Sequence, residues 1–327
     1  MTSNKKKDEP KSGTIALQED GSIPPFSSLF VSTIATEIYT NVIFNQKNLF
    51  EAFDIPIDDS ITYNIKKKTK EIDRKTVSAP RGKIWNVQLG PKQKGLILPR
   101  KKKAHFRNQI EFYISLGPRY NVNVMMFNTN FKTTGTKSPE DTREAVFYIW
   151  RDYLSKMKDG YHLRPEFIND KKYTFLFDIT MRNHRSCLDF PIDQKKLNVL
   201  VNSKKYSSTI SIAQIVNSSV NIKFSSPRPI DFLFPVISFS QTDPFDFSIS
   251  HQEDNPYENK KKVNEKKKKT AVKPPVTTVI IFSSARFIIT GRYSNRMEEI
   301  YNFFIKEILL NQDKIEFKEV VPKESFF

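Results

Sequence analysis

The chain has 327 residues, 38% of them hydrophobic, and a formal charge of +17. No run approaches the roughly 18–20 apolar residues of a membrane helix, and the single cysteine, Cys187, excludes an internal disulfide framework and a Cys-rich zinc site. The lone thiol suits a reducing compartment, and MTSNKKKDEPKSGT at the N-terminus has no apolar stretch of the signal-peptide kind.

The charge is uneven. Residues 66–107 hold 15 Lys/Arg against Glu71 and Asp73, a balance of +13. Residues 257–275 hold eight Lys against Glu258 and Glu265, a balance of +6, which leaves −2 for the rest of the chain. Two basic segments beside a nearly neutral remainder favour a polyanionic partner, nucleic acid above all. The competing explanation is a pair of solvated loops or an import signal.

In chain order, residues 1–25 are polar and Lys/Pro/Ser-rich and read as a disordered tail. LFVSTIATEIYTNVIF, from Leu29, alternates as a strand, and NQKNLFEAF is a short helix. Residues 56–104 break the pattern and read as a basic insertion around two short strands, KIWNVQLG and KGLILP. FRNQIEFYISLG and YNVNVMMF predict a hairpin about Gly117-Pro118. After NFKTTG, Ser138-Pro139-Glu140-Asp141 combines an N-cap, a proline at the first helical position and an acidic first turn. The helix it predicts carries Val146, Ile149, Trp150, Tyr153 and Met157 on one face.

A linker near Asp159-Gly160 leads to a strand, KYTFLFDITMRNHRSCLDF, a helix, PIDQKKLNVLVN, and a strand, SSVNIKFSS. Residues 225–275 form a second insertion, with FLFPVISF inside it and lysines at its end. TTVIIF, RFIITG and a helix from Asn295 to about Asn311 follow, and residues 313–327 read as a tail.

Two stretches 155 to 156 residues apart carry nearly one phrase: VMMFNTNFKTTGTKSPEDTREAVFYIW (Val124 to Trp150) and VIIFSSARFIITGRYSNRMEEIYNFFI (Val279 to Ile305). Each is an apolar strand ending in Phe, a tight turn, a strand ending Thr-Gly and a Ser placed to cap a helix. The period is far too long for a solenoid. It implies two copies of one unit, residues 26–159 and 160–312, each with the order strand, helix, three strands, helix. The expected class is α+β: an antiparallel sheet with helices on one face and the other face open.

With IIFSSARFIITGRYS (Ile280 to Ser294), MMFNTNFKTTGTKS (Met125 to Ser138), STIAT (Ser32 to Thr36) and DFPIDQKKL (Asp189 to Leu197), the chain resembles the TATA-box-binding protein family, in a divergent form like those of large nucleocytoplasmic DNA viruses. The resemblance implies a pseudo-two-fold saddle whose concave sheet enters the minor groove of A·T-rich promoter DNA and bends it with wedged side chains. It implies transcription initiation, a transcription factor IIB-like partner and RNA polymerase. It implies no cofactor, metal, membrane or small-molecule substrate, and a place in the nucleus, a cytoplasmic viral factory or the virion.

Residue by residue, Phe127 and Phe282 match the intercalating Phe that ends the third strand of each half, and Phe106 matches the partner wedge of the first half. The equivalent place in the second half, near Val216 or Asn217, has no aromatic ring. Thr134 and Thr290 match the minor-groove Thr before Gly; Ile288 matches an apolar DNA-facing position, with Lys132 as its counterpart. Arg286 falls near the phosphates, and Ser32 and Asn183 stand at or near the places of the family's paired asparagines. Met125 and Ile280 share the faces of Phe127 and Phe282 by the period of two.

An enzyme is not expected: there is no Gly-rich phosphate loop, no H-E-x-x-H and no Cys/His pair, and the four histidines lack ligand spacing. The alternatives are a packaging protein that binds DNA without preference, or a saddle-shaped protein-interaction platform that has lost DNA binding. The basic clusters Arg100–Lys103 and Lys266–Lys269 are expected to add affinity without sequence preference.

Overall fold

The computed structural model describes residues 14–66, 71–98, 108–257 and 275–317. β1 (Thr14–Ile15), β2 (Phe30–Thr40) and β3 (Val42–Phe44) lead into α1 (Gln46–Ala52), whose first turn is capped by the Asn45 side chain accepting from the Asn48 N–H. β4 (Ile84–Leu89) and β5 (Lys92–Gly95) lie inside the first insertion. β6 (Ile110–Gly117), β7 (Tyr120–Met126) and β8 (Asn130–Thr136) precede α2 (Pro139–Tyr148). Next come β9 (Tyr161–Leu163), β10 (Lys172–Leu188), α3 (Gln194–Val201), β11 (Ile210–Val216) and β12 (Ser219–Ser225). The second insertion holds β13 (Phe234–Ser240) and β14 (Phe247–Gln252). β15 (Val276–Phe282), β16 (Arg286–Gly291), α4 (Ser294–Ile300), α5 (Lys306–Leu310) and α6 (Gln312–Ile315) complete the chain.

The chain forms two compact units: unit 1 from the described parts of Met1–Ser32, Met181–Pro229 and Ala271–Phe327, and unit 2 from those of Thr33–Thr180 and Ile230–Thr270. Both are α+β, and their strands pair antiparallel except for β1. The units interleave along the chain and do not follow a single cut at residue 159/160: the first part of β10 and the β13–β14 hairpin pack in unit 2.

In unit 2 the strand order is β2-β8-β7-β6-β4-β5. Alternation sends Val122, Val124, Met126 and Phe131 to one side, where they pack with Ala145, Val146, Ile149 and Trp150 of the helix. The helix begins where the sequence indicates. Ser138 Oγ accepts from the Asp141 N–H at 3.0 Å, and the Asp141 carboxylate accepts from the Ser138 N–H at 2.9 Å. Trp150 is ringed by Tyr161, Tyr173, Phe175 and Phe239, with centroids 5.0 to 5.9 Å away.

The described part of the first insertion is folded. β4 pairs with β6 through a bulge between Ile84 and Asn86, and Trp85 packs on Tyr113 at 5.2 Å. Ile61, Val77, Ala79, Leu96 and Leu98 complete that small core. The segment read as a strand from Lys94 pairs only as far as Gly95, because Leu96 and Leu98 turn in to this core. Gly95 has φ +80°, and a Cβ there would meet the Trp85 carbonyl oxygen at 2.5 Å and Ile55 Cγ2 at 2.7 Å. Gly95→Ala is therefore expected to cost about 1–3 kcal/mol from conformation and crowding, measurable as a lowered midpoint in thermal unfolding.

In unit 1 the order is β11-β12-β15-β16-β10, with β1 beside β10. Val220, Ile222, Phe224, Val279, Ile281, Phe287 and Ile289 face Leu197 and Val201 of α3 and Met297, Tyr301, Phe304 and Ile308 of the C-terminal helices. Three expectations are corrected here. From Thr14 onward the N-terminal tail is packed: Ile15 pairs with Leu188 and is buried, and Tyr301 Oη donates to the Pro24 carbonyl at 2.7 Å. Ile15 and Ile23 are the apolar anchors that the surrounding polar residues concealed. Residues 313–317 likewise pack, with Ile315 buried and the Phe317 N–H donating to the Pro191 carbonyl. Ser294 is not the cap of its helix: Tyr293 occupies the N-cap with its ring buried, and no side chain caps that turn.

His184 points from β10 into this core, 8% exposed and stacked on Phe26 at 4.5 Å. Burial, with Arg182 nearby, lowers its pKa from 6.5 to about 4. The unfolded chain then binds the proton that the folded chain refuses between those two values. The stability this residue contributes is present above pH 6.5 and is lost as the pH falls towards 4. A His184→Gln variant is expected to lack that part of the pH dependence, as read from urea unfolding at pH 7, 5.5 and 4.

Candidate nucleic-acid interface

Each sheet has a second side that the helices do not cover. In unit 1 it is laid out by register. Asn221 pairs with Ile280, Ile280 with Ile288, and Ile288 with Arg185. Beside that row, Lys223 pairs with Thr278, Thr278 with Thr290, and Thr290 with Asn183. Phe282 stands opposite Ser219, and Arg286 opposite Cys187. The result is an apolar lane of Ile280, Ile288 and Phe282 next to a polar row, bordered by Arg185, Lys223 and the exposed Arg286. These apolar residues are half-buried and belong to no core cluster among the described residues.

Hydrogen bonds set the polar row. Thr290 Oγ1 donates to Asn183 Oδ1 at 2.8 Å, and Ser32 Oγ donates to the Asn183 carbonyl at 3.2 Å. The Arg185 guanidinium lies 4.5 Å from the Phe30 ring centroid, which holds it along the face. No strand residue of unit 1 is Asp or Glu. Seven of the sequence-derived candidates thus come together in this unit: Ser32, Asn183, Ile280, Phe282, Arg286, Ile288 and Thr290.

Unit 2 brings together Met125, Lys132 and Thr134, with Phe127 following at the end of β7. The row here runs Glu37, Lys132, Met125, Glu111, Gln88, and its neighbour runs Ala35, Thr134, Asn123, Tyr113, Asn86, of which Tyr113 and Asn86 are buried under the insertion. The β7–β8 turn is one residue shorter than the β15–β16 turn, so no basic residue stands where Arg286 stands. Glu37 and Glu111 are carboxylates on the open side, held by Tyr39 Oη and Gln109 Nε2, each at 2.6 Å. Phe127 is half-buried and outside the core that contains Trp150. Phe106 and the clusters Arg100–Lys103 and Lys266–Lys269 lie outside the described residues.

No protein-family model matches the sequence, and no curated protein matches it. Among solved structures, Methanococcus jannaschii TBP is similar to this chain at 12% identity and a TM-score of 0.37, over 89% of this chain and 99% of its own.

Sequence reasoning missed Arg185, Lys223, Asn123 and the two carboxylates, because their side of the sheet follows only from strand register. It also missed β11, although TISIAQIV alternates with β-branched residues and carries the signal. Among the described residues no group of three or more His, Cys, Asp or Glu side chains is placed to hold a metal ion, and no helix is long and apolar enough to cross a membrane.

Proposed function

We propose that this chain binds duplex DNA through the open side of its sheets and acts as a TATA-box-binding-protein-like transcription initiation factor on A·T-rich promoters. The observation that carries this reading is the open side of unit 1: Phe282, Ile280 and Ile288 in one lane, hydroxyl and amide groups beside it, cations at its border, and strands without a carboxylate. An A·T minor groove offers base acceptors and little else to match, so an apolar surface with a few donors suits it. A carboxylate against that groove would meet both the acceptors and the phosphates. The reading includes a pseudo-two-fold saddle. The β7–β8 and β15–β16 hairpins support it: Asn123 pairs with Thr134 as Thr278 pairs with Thr290, and Met125 with Lys132 as Ile280 with Ile288. The partners that go with it are a transcription factor IIB-like protein and RNA polymerase, and no reaction is assigned.

Glu37 and Glu111 favour a second role for unit 2, as a face for a basic protein partner. Band-shift titrations of A·T-rich and G·C-rich duplexes at moderate salt, with a phasing assay for bending, separate the cases. The initiation-factor reading requires A·T preference together with bending. Equal binding without bending means packaging, and no duplex binding leaves the protein-interaction platform.

A further inference from the structure

The folded insertion does more than extend the sheet. Arg74 and Lys75 stand on a short turn that overhangs the open side of unit 2, where Arg119, Asn121, Asn123 and Thr134 complete the walls of a cleft of about 330 Å³. Its geometry is held from both sides. Trp85 Nε1 donates to Asn121 Oδ1 at 2.9 Å, and Asn121 Nδ2 donates to the Val77 carbonyl at 2.7 Å, so one amide ties the sheet to the insertion. Arg74 Nη1 donates to Tyr113 Oη at 3.2 Å, and its guanidinium lies 5.5 Å from that ring centroid.

Three cations converge here, and among the described residues none of them makes an ion pair with a carboxylate. Elsewhere in unit 2 the same residue types do find acids: Arg81 with Glu144, Lys83 with Asp58, Arg143 with Glu140. Glu111 is the carboxylate close by, and it acts on the Tyr113 hydroxyl and, among the described residues, forms no ion pair with these cations; cations brought together in this way repel one another unless an anion joins them. The Asn123 amide makes no hydrogen bond among the described residues, and its Oδ1 is buried without a partner. With Oδ1 turned inward, Nδ2 is the amide atom left to donate into the cleft.

We propose that this cleft binds a phosphate group, and that its occupant is a backbone phosphodiester of the bound duplex. In that assignment, which rests on the DNA-binding reading, Arg74 and Arg119 clasp the oxygens, Lys75 adds charge, and Thr134 and Asn123 donate. Phosphate contacts position a protein without reading bases. The insertion would thus supply unit 2 with the backbone grip that Glu37 and Glu111 deny to its open face.

The test uses the full chain and a Lys75→Ala/Arg119→Ala double variant, which leaves the Trp85–Asn121–Val77 ties in place. Band shifts on an A·T-rich duplex at several salt concentrations give the slope of log K against log salt. Loss of one phosphate contact is expected to flatten that slope by about 0.9 and to weaken binding at moderate salt by about tenfold. An unchanged slope with wild-type affinity overturns the assignment. If the wild type binds no duplex, the DNA-binding reading fails, and calorimetric titration with tripolyphosphate decides the cleft by itself. Saturable binding by the wild type that the double variant lacks upholds a phosphate site filled from another source. Equal binding by both, or by neither, overturns it.

Discussion

Replacing Ile288 by glutamate is expected to weaken duplex binding about 100-fold and to leave the unfolding midpoint almost unchanged. Ile288 is half-buried in the middle of the carboxylate-free face, between Ile280 and Arg185 across the neighbouring strands. In the free protein the new carboxylate lies beside the Arg185 side chain, and cross-strand pairs of opposite charge contribute roughly 0.2–1 kcal/mol, so folding has little to lose. Against a groove floor of acceptors the same carboxylate finds no donor and loses its water. A loss of about 2.8 kcal/mol corresponds to 100-fold in affinity. Ile288→Ala, which removes apolar contact without adding charge, is expected to cost less. Phe282→Ala is expected to reduce bending more than stability, because its ring lies outside the core. Wild-type binding by the Ile288→Glu protein would remove unit 1 from the DNA interface.

The largest effect on stability is expected at Trp150. Its indole is 1% exposed and surrounded by four aromatic rings, and truncation leaves a cavity that fixed strands on one side cannot fill. Trp150→Ala should cost about 3–5 kcal/mol, read from the midpoint of urea unfolding followed by circular dichroism. The indole N–H makes no hydrogen bond among the described residues. Trp150→Phe therefore gives up volume but no polar contact, and should cost less than half as much. If the two variants are equally destabilised, packing is not what this residue contributes.

Local signals carried most of the fold. The run from Ser138 to Asp141 states its helix start in full, and the alternation of Tyr120 to Met126 states both the strand and its buried side. Hairpins joined by short turns could be paired in sequence because neighbours in the chain are neighbours in the sheet. What could not be read were pairings between distant segments. β1 with β10 and β13 with β10 close loops of scores of residues, β4 with β6 pairs across the whole β5 excursion, and no local pattern encodes their partners. The site divides the same way. Ile280, Phe282 and Ile288 follow from one hairpin, whereas Arg185 beside Ile288 and Glu37 beside Lys132 require the register of a strand from elsewhere in the chain. The basic segment 66–107 signalled a polyanionic partner but no core of its own, yet Val77, Ala79 and Trp85 within it anchor a core that holds Arg74 in place.

The placing of the two tryptophans and the one cysteine has a practical consequence. Trp85 and Trp150 both lie in unit 2, one in the insertion core and one on the last turns of the helix that follows β8, while Cys187 lies on the open side of unit 1 opposite Arg286. Intrinsic indole emission therefore reports on unit 2 alone, and is blind to events confined to the other sheet. A thiol-reactive dye on Cys187 reports from unit 1 without any engineered site. The wild-type chain can thus signal in two colours which half a ligand has touched.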